Sequence, residues 1–148
     1  MTYLTRSLIG GVVLLTVSCA AACQSNPIAA SHIEANVPSE QDFDVFMKRD
    51  LEQYFREEKK QPVTVDYELL RNGPTQSGTA FPKFYAWVIV KADGVIIEEG
   101  AVRVAAMEKK RFGVYEYLSQ AEIERDVEKI YRVFPGEVAD KIKKKLGK

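Results

Sequence analysis

The sequence predicts an α+β fold, with an N-terminal helix packed on a twisted four-stranded antiparallel sheet and two C-terminal helices after it. Two observations carry this prediction. Apolar residues recur every three to four positions before residue 60 and after residue 119, and alternate with polar residues in between. The links between the alternating segments are too short for crossover helices, so consecutive strands are expected to pair antiparallel.

The first helix is predicted over about residues 40–60. Its apolar residues are three or four positions apart and share one broad face, which suits it to cover the sheet. Pro62 follows and ends the helix. The apolar positions are Phe43, Phe46, Met47, Leu51, Tyr54 and Phe55.

Four strands are predicted between residues 63 and 118. Residues 63–69 alternate between apolar and polar side chains, as a half-exposed strand does. The next two strands are joined by Asp93-Gly94, a pair suited to a type I′ turn, and a turn over 108–110 introduces the fourth. The polar loop 72–82 is long for a hairpin connection, so it is either a second binding element or a flexible solvent loop.

The C-terminal region is predicted to hold two helices. Ser119 and Glu122 have the spacing of a capping box, which opens a helix that runs to Pro135-Gly136. A last short helix follows. In architecture alone, this order of elements resembles the cystatin-like and nuclear-transport-factor-like α+β folds. The inner helical positions are Ile123, Val127, Ile130, Phe134, Val138, Ile142 and Leu146.

Composition limits the function classes. The chain has 21 basic and 21 acidic residues, so nothing draws it generally toward nucleic acid. Its one histidine, His32, lies outside the predicted domain, so no histidine-based nucleophile pair, metal site or cofactor site is predicted within it. Two of the carboxylates Glu98, Glu99 and Glu116 could act together as acid and base, which keeps a hydrolase as one alternative.

The N-terminal segment has the pattern of a secretory signal. Arg6 precedes an apolar run of about ten residues, whereas a helix needs about 20 to cross a bilayer. Small residues lead into Cys23, and Ala20-Ala21-Ala22-Cys23 resembles the lipobox of bacterial lipoproteins. The resemblance covers residues 1–23 and implies that this cysteine becomes the lipid-modified first residue; Cys19, in a second similar stretch, is the alternative.

This resemblance sets the expected location and domain boundaries. Residues 1–22 are predicted to be a signal peptide, 23–39 a lipidated tether and 40–148 a single α+β domain. Gln24 after the cysteine implies the periplasmic face of the outer membrane. The alternative is cleavage after Ala22, which gives a soluble periplasmic protein with an unmodified cysteine.

The predicted strand register places a candidate binding face on the sheet. A two-residue turn at Asp93-Gly94 places Trp87 opposite Gly100, where the large ring covers bare backbone. Period-two alternation then assigns one face to the core, and the other face carries aromatic side chains around an arginine, as binding hot spots do. The candidate binding residues are Phe84, Glu99, Arg103, Tyr115 and Tyr117.

In this register Arg103 lies between Phe84 and Tyr115. The alternative is that the C-terminal helices cover this face and Arg103 pairs with Glu99. The sequence therefore predicts a non-catalytic interaction module that binds an envelope protein. A carrier of a small apolar ligand, held between the sheet and the first helix, is the other alternative beside the hydrolase.

Overall fold

Four strands form one antiparallel sheet in the order β1-β2-β3-β4, in a computed structural model that describes residues 26–147. The fold is α+β, and the predicted sheet is confirmed. The strands are β1 (Thr64–Leu69), β2 (Lys83–Ala92), β3 (Val95–Met107) and β4 (Arg111–Ser119). The helices of the described residues are α1 (Pro27–Asn36), α2 (Glu40–Lys59), α3 (Gln120–Arg125), α4 (Lys129–Val133) and α5 (Gly136–Lys145).

The N-terminal tether was expected to be irregular, but it contains α1. The Asn26 side chain accepts a hydrogen bond from the Ile28 amide, and Pro27 occupies the first helical position, so the local sequence starts a helix well. Asn36 ends this helix and is buried against the β3–β4 turn. Its side-chain oxygen and its carbonyl accept hydrogen bonds from the amides of Glu108 (3.2 Å) and Lys109 (2.9 Å).

The predicted helix after Ser119 is also different, because it is divided into α3 and α4. The capping box at its start is confirmed. The chain leaves helical geometry at Asp126 (φ −141°, ψ 85°) and starts again in α4. Both short helices direct a fully buried side chain, Ile123 and Ile130, at the same face of the sheet, so two short helices replace one long one.

One core lies between α2 and the sheet. Met47, Leu51 and Phe55 recur at four-residue spacing and are all fully buried, as the amphipathic pattern predicts. Burying each of these side chains contributes about 1.5–3 kcal/mol of transfer free energy. The sheet residues that pack under them are Val63, Val65, Phe84, Ala86, Val88, Val90, Val102, Val104, Ala106 and Phe112.

The sheet curls around α2, which contacts both edge strands. Asp50 of α2 accepts a hydrogen bond from the Phe112 amide of β4 (2.6 Å). Glu52 accepts one from the Val65 amide of β1 (3.4 Å). Unpaired amides on a sheet edge invite pairing with other chains. The two carboxylates of α2 therefore cap amides on both outer edges of the sheet.

A second core covers the opposite face, so the sheet is the middle layer of three. The predicted C-terminal helices supply this cover, over the face that carries Tyr85 and Trp87 and not over the side chains of Phe84 and Tyr117. Tyr85, Trp87, Ala101 and Leu118 of the sheet lie beneath these helices. The helical side chains of this core are Ile123, Ile130, Phe134, Val138, Ala139 and Ile142.

The β2–β3 turn has the predicted geometry. Asp93 (φ 49°) and Gly94 (φ 78°) both have positive φ, as a type I′ turn requires. Lys91 and Ile96 therefore pair as a two-residue turn dictates. A β-bulge between Val90 and Lys91 then shifts the register by one residue. The predicted partners hold next to the turn and fail beyond the bulge.

Beyond that bulge, Trp87 pairs with Ala101 and not with Gly100. The ring that lies against Gly100 is that of Tyr117, whose Cε2 atom would be 2.7 Å from a Cβ atom built there. Glycine is thus required at position 100 to make room for the Tyr117 ring, and not for the Trp87 ring as predicted. The prediction that Trp87 covers Gly100 is wrong, because one bulge exchanges the faces of every residue past it.

A second bulge changes the β3–β4 register. It lies between Arg103 and Val104, so Arg103 pairs with Glu116 while Val104 pairs with Val114. Tyr115 is the extra residue of the bulge. The predicted pairing of Arg103 with Tyr115 is therefore wrong. Together the two bulges distribute the residues of each predicted face over both real faces of the sheet.

Candidate binding surface

The five residues of the predicted binding face do not form one surface. Phe84 and Tyr117 lie under α2, and the Tyr117 ring packs edge-on against Phe55 with 4.9 Å between ring centroids. This burial raises the pKa of the Tyr117 phenol above its ordinary range. Arg103 and Glu99 make their side-chain contacts on the opposite face. An arginine stacked between Phe84 and Tyr115 is absent from the described sheet.

Arg103 joins the sheet to the C-terminal helices. Its Nη1 donates to the carbonyl of Val133 (3.1 Å), and its Nη2 is 3.4 Å from Glu116. Its Nε is buried without a hydrogen-bond partner. Tyr115, next to Glu116, leaves about half of its side chain exposed. Arg103 thus has a structural contact, and a role in binding stays a prediction.

The three carboxylates of the hydrolase alternative have separate partners. Glu98 forms an ion pair with Lys59 of α2, and Glu99 accepts a hydrogen bond from Trp87 Nε1 (3.1 Å). Glu116 pairs with Arg103. Arg103 is four residues from Glu99 along β3, so Glu116 and Glu99 are separated by about 13 Å along the strand direction. Glu98 and Glu99 both line a shallow groove beside α3, each with its own partner, and Glu116 lies outside that groove.

The polar loop between β1 and β2 is held by its own side chains. Arg71 donates to the carbonyls of Gly73 (3.0 Å) and Pro74 (2.8 Å) and pairs with Glu137 of α5. Thr75 Oγ1 lies 2.6 Å from the Tyr85 hydroxyl. The loop is therefore attached to β2 and to α5, and its contacts do not support the flexible alternative.

The space between α2 and the sheet is filled by side chains, which matters for the carrier alternative. The ring centroid of Phe43 lies 4.9 Å from that of Phe84 and 5.0 Å from that of Phe112. Met47 and Leu51 continue this contact without any exposed surface. An apolar ligand would have to displace packed side chains there, which costs free energy.

The most distinctive surface is a length of β3 that β4 does not reach. β3 has 13 residues and β4 has 9, and the pairing of β4 with β3 ends at Gly100 and Ser119, where the chain turns into α3. We call Val95–Glu99 the open edge, because β2 pairs with it on one side only. At its inner end the Tyr117 hydroxyl donates to the Glu99 carbonyl (3.3 Å).

The open edge is apolar over three consecutive residues. Val95, Ile96 and Ile97 are 65%, 53% and 41% exposed. Ile97 is the extra residue of the β2–β3 bulge. Beside them, a shallow groove runs between β3 and the start of α3, with Glu98, Glu99, Gln120 and Glu124 in its walls. An unpaired strand edge, exposed apolar side chains and an acidic groove therefore coincide at one end of the sheet.

Sequence reasoning did not find the open edge, although the sequence contains a signal for it. The predicted register places Ile96 on the core face and Ile97 on the candidate binding face. The capping box at Ser119 ends β4, and hairpin pairing places Ser119 opposite Gly100. Counting back from Gly100 would have shown that the residues nearest the Asp93-Gly94 turn have no partner on that side.

Two other kinds of site were sought. Within residues 26–147, no three histidine, cysteine, aspartate or glutamate side chains lie together so that they could hold a metal ion. None of the helices α1–α5 combines the length and apolar composition that a membrane crossing needs. The signal peptide, Cys19 and Cys23 lie outside the described residues, so their predicted roles stay predictions.

Comparison with known proteins adds no assignment to this geometry. No protein-family model, no curated protein and no solved structure matches the chain.

Proposed function

We propose that this protein is an exported, lipid-anchored interaction module of the cell envelope that binds a protein partner through its open edge. One observation carries the proposal: five residues of β3 lack a partner strand on one side, and the three outermost are apolar and exposed. Exposed apolar surface beside unpaired backbone is typical of places where another chain binds.

The contrast with the other strand edges supports this site. Asp50 and Glu52 of α2 each accept a hydrogen bond from one amide of an outer strand, Phe112 of β4 and Val65 of β1. The hairpin beyond α2 carries Val95, Ile96 and Ile97, where charged or proline residues would discourage pairing. A partner strand would cover these side chains and complete the hydrogen bonding of the edge.

The location in the cell is proposed from the N-terminal sequence. The short apolar run after Arg6 and the lipobox-like Ala20-Ala21-Ala22-Cys23 support export and lipid attachment at Cys23. The expected place is the periplasmic face of the outer membrane, with a soluble periplasmic form as the alternative. The resemblance to cystatin-like and nuclear-transport-factor-like folds stays a prediction and carries no part of this proposal.

Photo-crosslinking in living cells tests the binding site. A photoreactive amino acid replaces Ile96 in one variant and Val45 in the other, in the full chain. Val45 is a suitable control because it is 61% exposed on the outer face of α2, far from the open edge. We expect a discrete crosslinked protein from position 96 and none from position 45.

Two results would contradict the proposal. One is the absence of a protein adduct at position 96 and at its neighbour, Val95. The other is the same set of adducts from positions 96 and 45, which would indicate random collision with abundant envelope proteins. Circular dichroism and thermal melting show that both variants are folded, so that the presence or absence of an adduct reports on the folded protein.

A further inference from the structure

We infer, on the basis of the function proposed above, that the partner contributes an extended segment of alternating apolar and basic residues, which adds to the open edge as a further strand. The open edge supplies backbone pairing, the exposed side chains Val95, Ile96 and Ile97 supply apolar contact, and the groove beside α3 supplies negative charge. Each property restricts the partner in a different way.

Backbone pairing requires an extended partner. β2 already occupies one side of Val95–Glu99, so the backbone groups of the other side point to where β4 would continue. β4 leaves the sheet at Ser119 and the chain enters α3. A strand that continued the path of β4 would pair with Val95–Glu98 and lie in the groove beside α3, which is the geometry of β-strand addition.

The carboxylates beside the open edge favour basic side chains on the partner. Glu98 is neutralised by Lys59. Glu99 accepts its hydrogen bond from the neutral indole of Trp87, and among the described residues no cation lies within 4.0 Å of it. Complementary charge would therefore be positive.

The same charges argue against a second copy of this chain as the occupant. Two copies that paired through their open edges would each bring the stretch Val95-Ile96-Ile97-Glu98-Glu99 into the interface. Each would add its own negative groove to that of the other. Like charges that are brought together at an interface cost free energy, so a basic segment of a different protein fits better.

Synthetic peptides test the inference directly. The probe is a capped KVTVKV peptide with a fluorophore, titrated with residues 26–148 of the chain, after circular dichroism and a cooperative thermal transition have shown that this fragment is folded. EVTVEV is the charge-reversed control, and KVTPKV keeps the charge but cannot complete a strand ladder. We expect KVTVKV to bind about tenfold more tightly than either control, and less tightly as salt is raised.

Matched variants locate the binding. Glu99→Gln keeps the side-chain size and one acceptor oxygen for the Trp87 indole while it removes one charge. We expect it to weaken KVTVKV binding about three- to tenfold. Glu57→Gln removes one charge from the face of α2 that carries Val45 and Lys48, and is expected to change the affinity less than twofold. Amide hydrogen exchange is expected to slow at Val95–Glu99 when the peptide binds.

The results separate this inference from the proposed function. Equal binding of the basic and acidic peptides, or of the proline peptide and its parent, would overturn the inference. If position 96 still crosslinks to a protein in cells, the interaction module is retained and only the chemistry of its partner is wrong. If neither position 96 nor position 95 gives an adduct, the proposed function fails whatever the peptides do.

Discussion

Gly100 shows how a single missing side chain permits the fold. A Cβ atom built there would lie 2.3 Å from the Leu118 carbonyl oxygen and 2.7 Å from the Tyr117 ring. The carbonyl belongs to backbone that is fixed by pairing with β3, so it cannot move away as a flexible side chain could. Glycine allows β4 to close on β3 at the point where the chain leaves for α3.

We therefore expect Gly100→Ala to destabilise the protein by about 1–3 kcal/mol, as overpacking of a filled core does. The control is Gly136→Ala at the start of α5, where nothing lies within 4 Å of the added atom and φ is not positive. That change is expected to be neutral or slightly stabilising, because alanine reduces the freedom of the unfolded chain. Urea denaturation measures both, and similar midpoints for the two variants would show that β4 can relax.

Asn36 and Arg103 show the limits of sequence reasoning at the residue scale. Asn36 lies in a segment without apolar periodicity, and its role depends on the turn at Glu108, 72 residues away. Arg103 was identified correctly as an unusual residue within the sheet, but its partners were wrong. Which carbonyl a guanidinium reaches depends on the packing of another helix, and local spacing does not contain that information.

At the scale of elements, regular patterns were predicted well and interruptions of them were not. The period of α2 and the alternation in β1 follow from burial of one face, so the spacing of apolar residues reveals them. The Asp93-Gly94 turn follows from the need for positive φ. The two bulges leave no comparable signal, because one extra residue in a strand that is apolar on both faces does not interrupt the apolar pattern. Both faces of the sheet are apolar, so period two could not show where the faces exchange.

The capping box of α3 makes a pH-dependent contribution. Hydrogen bonds from the Ser119 amide (3.1 Å) and from Lys129 (3.1 Å) lower the pKa of Glu122 below its ordinary value of 4.5. A carboxyl group whose pKa is lowered in the folded state stabilises that state above its unfolded-state pKa. The contribution is lost as the pH falls through the lower, folded-state pKa.

We therefore expect Glu122→Gln to lower the melting temperature by a few degrees at pH 7, because the charge of the carboxylate is lost. The difference between variant and wild type is expected to shrink as the pH is lowered from about 5 to below the folded-state pKa. Thermal melting at a series of pH values measures this, with Glu57→Gln on the outer face of α2 as the control. A difference that is constant with pH would show that Glu122 acts through packing and not through its charge.

At the scale of the whole molecule, the tether and the open edge lie at opposite ends of the sheet. Asn36 is hydrogen-bonded to the β3–β4 turn, whereas the open edge begins at the β2–β3 turn. The 13 residues of β3 separate these turns by about 40 Å. Three residues separate Cys23 from the start of α1 at Pro27. A lipid on Cys23 would thus connect to the sheet through α1, whose last residue is bound at the end remote from the open edge.

The last prediction concerns that attachment. We expect Cys23→Ala to move the protein from the membrane fraction to the soluble periplasmic fraction, because the acyl chains supply the membrane affinity. Cys19→Ala is the matched control and is expected to leave the protein in the membrane fraction. Mass spectrometry of the wild-type N-terminus is expected to show an acylated cysteine as the first residue. Release by Cys19→Ala alone would assign the lipid to the other cysteine, and an unmodified Cys23 in a soluble wild-type protein would establish the periplasmic alternative. In either membrane-bound case the open edge would face the periplasm, where an extended segment of another envelope protein could reach it.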